Sequence, residues 1–476
     1  MYIWLYKTIY NQNIMNRRNL LKTLSFAAGA SLISTDVLAK IGERSFLFNI
    51  PDNPAHKPLD KPVTAITIGA GNRGMVYGGF AAKFTDQIKI VGVAEPVEFR
   101  NDRYAKIHNI PKENRFNTWE DVFKRPKFAD AVIISTPDAM HYEPCMKALA
   151  MGYDILLEKP IAPTEKECRD ILNLAKKNNR IVAVCHVLRY APYFVKMKEL
   201  IAKGAIGEVI SIQHFEPIEH THMAHSYVRG NWHNSKATTP IILAKSCHDL
   251  DIIKWVINKQ SQKISAMGDL KWFKAANAPA GSTARCTDGC KVERECPYSA
   301  IKEYVDLNKR TSVFDVPAGT KDRKAFITEK LKTTNYGRCV YRMENDQPDH
   351  YVTNIQFADS VTASFSMEAF TSYHGRRTRV MGSMGDLVGD MTELVHYDFK
   401  TRKDTKFIPK AEDVEEYKNS GHGGGDWLLV RDFVQAVAQK NPALLTSTID
   451  DSIESHIMGF MAEESRKKSK VMDIKM

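Results

Sequence analysis

The stretch that decides the fold is Val63-Thr64-Ala65-Ile66-Thr67-Ile68-Gly69-Ala70-Gly71-Asn72-Arg73-Gly74. Its first half is apolar and β-branched and reads as a short buried strand; a glycine-rich turn follows at once. A helix-compatible segment begins near Met75, and a second apolar strand, Ile88 to Ala94, ends at Glu95. Strand, G-x-G-x-x-G, helix, strand and terminal acid form the order of a dinucleotide-binding unit. Gly69 permits the tight turn, Gly71 lets backbone approach a pyrophosphate, and Gly74 lets helix and strand pack closely. The free N–H groups of the helix start, around Asn72 and Arg73, face the phosphates. Glu95 accepts hydrogen bonds from the adenosine ribose and repels a 2′-phosphate, which favours NAD over NADP. Arg100 lies close enough to weaken that preference.

The alternation continues outward from this unit. Ala131 to Pro137 is another buried strand ending in a polar turn, with His141 beyond it. After a helix come Asp154-Ile155-Leu156-Leu157 and Glu158-Lys159-Pro160, then a helix from Thr164 to Asn178 and the strand Ile181 to Val184. Strands alternating with helices predict an α/β fold with a doubly wound parallel sheet. The expected organisation is a targeting segment over 1–39, a linker over 40–61, a dinucleotide domain over 62–186 and a second domain over 187–476.

Several local patterns together resemble the Gfo/Idh/MocA oxidoreductase family. They are the glycine loop with Arg73, Ser135-Thr136-Pro137 followed by His141, Glu158-Lys159-Pro160, and Arg189-Tyr190-Ala191-Pro192. Gly204-Ala205-Ile206-Gly207-Glu208-Val209 and Cys247-His248-Asp249-Leu250-Asp251 extend the likeness from about Val63 to the C-terminus. The resemblance implies an N-terminal Rossmann domain and a C-terminal α/β domain. The latter would carry a large, mainly antiparallel sheet, one face of which commonly builds homo-oligomers. It also implies that Thr136, Pro137, His141, Glu158 and Lys159 border the cofactor and that Arg189 and Tyr190 lie on the substrate side.

Lys159 follows a parallel strand at its C-terminal edge, where open α/β sheets bind ligands. It is placed to take a hydroxyl proton as hydride leaves the same carbon. His248 opens an amphipathic helix, and its family counterpart shares that proton transfer. The family often has an Asp four residues earlier; here Ala244 stands there and Lys245 follows. Lys245 is therefore a candidate second base, or a holder of an acidic substrate group.

His220-Thr221-His222-Met223-Ala224-His225 is expected to be a polar, substrate-lining loop, with His222 and His225 as candidates. A metal site on a strand face is the alternative. Arg229 and Trp232 suit hydrogen bonding and stacking against a sugar ring. In Gly421-His422-Gly423-Gly424-Gly425-Asp426, consecutive glycines allow close approach to a ligand and Asp426 is a candidate N-cap for a helix from Trp427 to Val437. A similar His-Gly-Gly loop occurs in glycoside hydrolase family 109, an NAD-dependent branch of the same superfamily. That branch lacks the Lys found here at 159.

The chain has 476 residues, 43% hydrophobic and 26% charged, which excludes a disordered chain and a multi-span membrane protein. The formal charge of +11 is scattered. Its densest cluster, Arg466, Lys467, Lys468 and Lys470, reads as a solvated helix face rather than a nucleic-acid surface. Arg17-Arg18, an apolar run from Leu24 to Ile33 and Val37-Leu38-Ala39 resemble a twin-arginine export signal, which implies a periplasmic enzyme with no membrane span after the signal is removed. Eight Cys are too few for a disulfide scaffold. Cys286, Cys290 and Cys296, with Cys339 downstream, lie in an expected insertion over about 274–345. They read as a structural zinc site, an iron–sulfur site or two disulfides, with free thiols ranked behind these.

Two activities compete. One is NAD-dependent oxidation of a secondary hydroxyl on a sugar, cyclitol or glycoside, with Lys159 and His248 moving the proton. The other is NAD-dependent glycoside hydrolysis or elimination through transient ring oxidation, water addition and re-reduction. Export would favour retained cofactor and redox-neutral turnover.

Overall fold

The computed structural model describes residues 45–48, 54–409, 417 and 420–476. The twin-arginine-type segment and part of the 40–61 linker lie outside the described residues. The strands in chain order are β1 (Ser45–Phe48), β2 (Val63–Ile68), β3 (Ile88–Ala94), β4 (Arg115–Phe116), β5 (Ala131–Ile134), β6 (Asp154–Leu157), β7 (Val182–Val184) and β8 (Val209–Pro217). They continue as β9 (Ser261–Asp269), β10 (His350–Phe357), β11 (Thr362–Glu368), β12 (Arg377–Gly382), β13 (Gly385–Gly389), β14 (Leu394–Asp398), β15 (Lys403–Pro409) and β16 (Met472–Asp473).

A six-stranded parallel sheet runs in the order β4-β3-β2-β5-β6-β7. Every residue of β5 and β6 is buried, as apolar strands covered on both faces must be. The chain winds outward from β2 to β4, then returns to place β5 beside β2. That reversal opens a crevice at the strands' C-terminal ends, between the turns after β2 and β5. The helix Glu165–Lys177 starts where Thr164 caps it, through a reciprocal capping box with Glu167. Its Cys168, Ile171 and Ala175 face the core.

The second sheet runs β1-β15-β14-β13-β12-β8-β11-β10-β9-β16. From β15 to β16 its pairings are antiparallel except for the parallel pair β8–β11. One face is covered by the helices Cys247–Ile257 and Ile449–Lys468. The other is open: along β10 alternate residues are buried while Val352, Asn354 and Gln356 are exposed. In the basic cluster, Arg466 and Lys467 pair with Glu463, and Lys468 with Glu464, one helical turn away.

Two segments set up the site. The helix Gly425–Gln439 packs against the helix Asn72–Lys83 and completes the dinucleotide domain's core, where Leu429, Phe433 and Val434 join Tyr77, Phe80 and Ile90. Trp427 Nε1 donates to the Val76 carbonyl at 2.9 Å across this seam. The connection between β9 and β10 has a small core of its own, built from Ala300, Tyr304, Val305, Phe314, Ile327 and Leu331.

Candidate active site

The glycine loop is fixed by close approaches rather than by its own side chains. Gly69 has φ +91°, and a Cβ there would meet the Ser135 carbonyl oxygen at 2.7 Å. A Cβ on Gly74 would lie 2.2 Å from the Gly69 carbonyl oxygen. Gly71 differs: its backbone is extended and a Cβ would meet nothing within 4 Å. The open side of the loop is therefore at Gly71, where a pyrophosphate would pass. The following helix starts at Asn72, earlier than the expected Met75, because Met75 N already bonds the Gly71 carbonyl at 2.9 Å. Glu95 is buried and its carboxylate accepts from Ala70 N at 2.8 Å and Val97 N at 3.0 Å. It stands at the end of β3, where the ribose of a dinucleotide would lie. Ser135 Oγ donates to the Gly69 carbonyl at 2.7 Å, so the turn after β5 buttresses the loop.

Arg73 reaches out of the loop into a charged knot. Its Nε donates to Glu158 Oε1 at 2.5 Å and its Nη2 to Asp426 Oδ1 at 2.8 Å. Tyr77 OH donates to the same Glu158 oxygen. Burial alone would raise the Glu158 carboxyl, but Arg73 and Lys159 beside it hold it below the usual carboxylate range. The same opposition, won by Arg73 and His422, keeps Asp426 ionised. Arg73 and Glu158 were expected at the cofactor. The structure engages their polar atoms with each other and with Asp426, so they brace the loop. Asp426 is not the N-cap expected of it: Gly424 caps, and Asp426 sits in the first turn with its carboxylate turned to Arg73 and His422.

Lys159 leaves the end of β6 and donates Nζ to the Ala244 carbonyl at 2.7 Å. The position that carries an Asp in the resembling family thus contributes a backbone oxygen to the lysine here. His248 is buried in the first turn of its helix, and its Nδ1 has no hydrogen-bond partner among the described residues. Burial, and then the charges of Lys159, His422 and Arg376, push its pKa well below the ordinary value, so it is a neutral imidazole. The His422 ring centroid lies 5.6 Å from that of His248, and His422 Nδ1 is 3.1 Å from Asp426 Oδ1. Trp232 stands 6.0 Å from the Lys159 ammonium, its Nε1 donating to Asp138 Oδ1 at 3.0 Å. Thr239 holds the other Asp138 oxygen at 2.7 Å. Asp138 was missed in sequence; its place, between Pro137 and His141, was the available signal. His141 itself bridges two turns, with ring nitrogens against the carbonyls of Pro160 at 2.7 Å and Thr136 at 3.0 Å.

Several expected site residues lie elsewhere. Arg189 is buried in a two-pronged ion pair with Asp251, at 2.7 and 2.6 Å, and Tyr190 OH bonds Ser447 and Thr446 N. Both tie elements together and neither offers a polar atom to a substrate. Arg229 binds the carbonyls of Arg338 and Tyr298, each at 2.7 Å, and so anchors the β9–β10 connection. The His220–His225 segment is no loop or strand: a helical turn, His220–His222, runs into a π-helix, Met223–Arg229. His225 Nδ1 meets Tyr304 OH at 2.8 Å, and burial with Arg310 and Arg229 nearby lowers its pKa to about 3. His222 is likewise neutral, through burial and Lys245. Lys245 pairs with buried Glu216 at 2.8 Å, and Arg376 bridges Glu216 and Asp249 at 3.0 and 2.6 Å. The ammonium expected to meet an acidic substrate group is already matched by a carboxylate.

Cys286, Cys290, Cys296 and Cys339 do converge, around a cavity of about 20 Å³. All four are free thiols, which corrects the disulfide expectation. Among the described residues no three His, Cys, Asp or Glu side chains are grouped to hold a metal, which corrects the zinc expectation. The Cys286 sulfur instead lies 3.5 Å from Ala300 N and 3.8 Å from Arg229 Nη2.

Residues 63–186 match the profile of the "Oxidoreductase family, NAD-binding Rossmann fold" and residues 198–474 that of the "Oxidoreductase family, C-terminal alpha/beta domain". The chain is 25% identical over 366 residues to the putative oxidoreductase YteT of Bacillus subtilis, covering 74% of this chain and 83% of that protein. It is 28% identical over 164 residues to an inositol 2-dehydrogenase/D-chiro-inositol 3-dehydrogenase of Lactiplantibacillus plantarum, covering 34% of this chain and 43% of that one. A levoglucosan dehydrogenase solved with NADH and levoglucosan superimposes with a TM-score of 0.64 at 16% identity, over 87% of this chain and all of the other. With both domains matched, and with a glycine loop, an acid-tipped second strand and a crevice that fit a dinucleotide, the chain belongs to the Gfo/Idh/MocA family of NAD-binding oxidoreductases.

Proposed function

We propose that the protein is an NAD-dependent oxidoreductase acting on a secondary hydroxyl of a sugar, cyclitol or glycoside. The observation that carries this reading is Lys159 at the C-terminal edge of the parallel sheet, with its Nζ on the Ala244 carbonyl, Trp232 6.0 Å away, the neutral His248 within reach of its charge, and the adjacent Glu158 bonded to Arg73 of the glycine loop. Gly69, Gly71, Gly74 and Glu95 would hold NAD, which would supply hydride acceptance when bound. Lys159 and His248 handle the hydroxyl proton: His248 is a neutral imidazole able to accept it, and the Lys159 ammonium polarises the oxygen. Trp232, oriented by Asp138, offers an indole face against a sugar ring. The dehydrogenation of inositol, named for a relative, is in keeping with this substrate class.

A second reading, NAD-dependent glycoside cleavage, draws on His422. Its Nδ1 is held by Asp426, leaving Nε2 as a second proton-transfer group beside His248. Export by a twin-arginine route to the periplasm, with cofactor retained, fits redox-neutral turnover of that kind. Assembly of copies through the open sheet face is supported by its exposed Met267 and Val352.

The test is Lys159→Met. The variant should keep NAD through dialysis and lose turnover on sugar and cyclitol substrates. Full activity would remove Lys159 from the mechanism. In the unaltered enzyme, release of aglycone without net NADH would select the second reading.

A further inference from the structure

Arg100 is five residues beyond Glu95, on the helix Glu98–His108 that follows β3. A cation there is in range of the ribose edge that Glu95 faces, and would be the natural partner of a 2′-phosphate. The structure does not leave it free. Arg100 Nε lies 3.1 and 2.9 Å from the two oxygens of Asp315, and its Nη2 lies 2.8 Å from Oδ2.

Asp315 comes from the distant β9–β10 connection and is delivered by a braced turn. Arg310 and Asp315, at either end of the helical turn Thr311–Phe314, both have left-handed backbone, with φ +52° and +48°. Such residues persist only where the surroundings hold them. Here Arg310 binds Glu219 at 2.8 Å and Glu303 at 2.6 Å, while Phe314 is buried edge-on against Tyr304 and Tyr336. The carboxylate is thus carried to Arg100 by a turn anchored on Glu219, just after β8, and on Glu303.

We propose that Asp315 is a cofactor-selectivity residue: by engaging Arg100 through both carboxylate oxygens it removes the cation a 2′-phosphate would need, and it adds a second negative charge to that of Glu95. This rests on the dinucleotide reading of the glycine loop. It makes the β9–β10 connection a reader of the cofactor's adenosine end. Glu95 discriminates by its own charge; Asp315 does so by disarming a neighbour.

The full chain, freed of co-purified nucleotide, would be titrated with NAD⁺ and NADP⁺ as unaltered protein, Asp315→Ala, Asp315→Asn and Asp315→Ala/Arg100→Ala. A guanidinium newly available to phosphate should tighten NADP⁺ binding by about ten-fold to a hundred-fold in Asp315→Ala. NAD⁺ binding should move by less than about three-fold, since no bond to it is gained or lost. Adding Arg100→Ala should abolish the gain. Asp315→Asn, which keeps the shape of the turn, should give an intermediate gain and covers the case in which the Ala variant does not fold. Unchanged NADP⁺ affinity in both folded variants, with tight NAD⁺ binding intact, overturns the selectivity role alone. Failure of the unaltered protein to bind either nucleotide overturns the dinucleotide reading and this assignment together.

Discussion

Two alanine substitutions in one short loop should have opposite consequences. At Gly74 an added Cβ would stand 2.2 Å from the Gly69 carbonyl oxygen and 3.1 Å from Ser135 Oγ. The nearer contact is backbone, so either the loop or the helix start must move. Overpacking of this kind costs about 1–3 kcal/mol or more. At Gly71 a Cβ meets nothing within 4 Å, and the backbone angles, φ −72° and ψ −160°, suit any residue. Gly71→Ala should therefore leave the ligand-free protein as stable as before, or more stable by about 0.4–1 kcal/mol through the less flexible unfolded chain. That open space is the path assigned to the pyrophosphate. Filling it should weaken NAD by about 1–3 kcal/mol, roughly five-fold to 150-fold. Thermal unfolding without ligand measures the first quantity and fluorescence titration with NAD the second. Gly74→Ala should unfold at lower temperature; Gly71→Ala should not, yet should bind poorly. If Gly71→Ala bound NAD like the unaltered protein, the nucleotide would not cross the loop where the open side lies, and the assignment would fail.

Asp426→Asn removes the buried carboxylate from Arg73 and His422; a stability loss of about 1.5–3 kcal/mol and faster NAD release are expected, and an unchanged denaturation midpoint would refute the bracing role. Lys245→Met leaves Glu216 buried with only Arg376. A loss of about 1–3 kcal/mol is expected, and Glu216→Gln in addition should recover part of it; no loss would mean that the ammonium is not held by Glu216. Burial first, with neighbouring cations, lowers the pKa values of His186 and His248, and burial with His186 lowers that of His456 to about 3. The unfolded chain binds those protons below about pH 6.5 while the native one does not, so stability falls as pH falls. Between pH 7.5 and 5.5 the urea midpoint should therefore fall, with His222 and His225 acting in the same direction; equal midpoints would show that these imidazoles are charged in the fold.

The parallel sheet was legible because its signals are local. The expected strands over 63–68, 88–94 and 154–157 coincide with β2, β3 and β6. Lys159 and His248 were singled out together through the family likeness, and in the fold the charge of Lys159 is felt at His248. Less legible was the direction in which a side chain points when its partner is far along the chain. Arg189 stands next to a recognisable Tyr-Ala-Pro, but its partner, Asp251, lies on another helix. Arg73 sits in the glycine motif, yet what engages it includes Asp426, 353 positions away. The His220–His225 run was read as a polar loop, with a metal site at the two-residue spacing of a strand face as the alternative. A π-helix obeys neither that period nor the 3.6 of an α-helix, so no pattern could have announced it. The four clustered Cys show the converse: their convergence was legible, but pairing and ligation depend on sulfur positions that spacing does not determine.

The seam between the helices Asn72–Lys83 and Gly425–Gln439 has a consequence for synthesis. Tyr77, Phe80 and Ile90 are made early, but Leu429, Phe433 and Val434, which cover them, emerge some 350 positions later. At about 5–20 residues per second that is a wait of roughly 20–70 seconds on the ribosome. Through that interval the nucleotide half exposes an apolar flank, and Arg73 has not met Asp426. The nascent chain should therefore need shielding by a chaperone, and cofactor loading should be an event of the completed polypeptide. A circular permutant that begins at residue 420, so that 420–476 precede residue 54, should shorten the wait and let the nucleotide half close first.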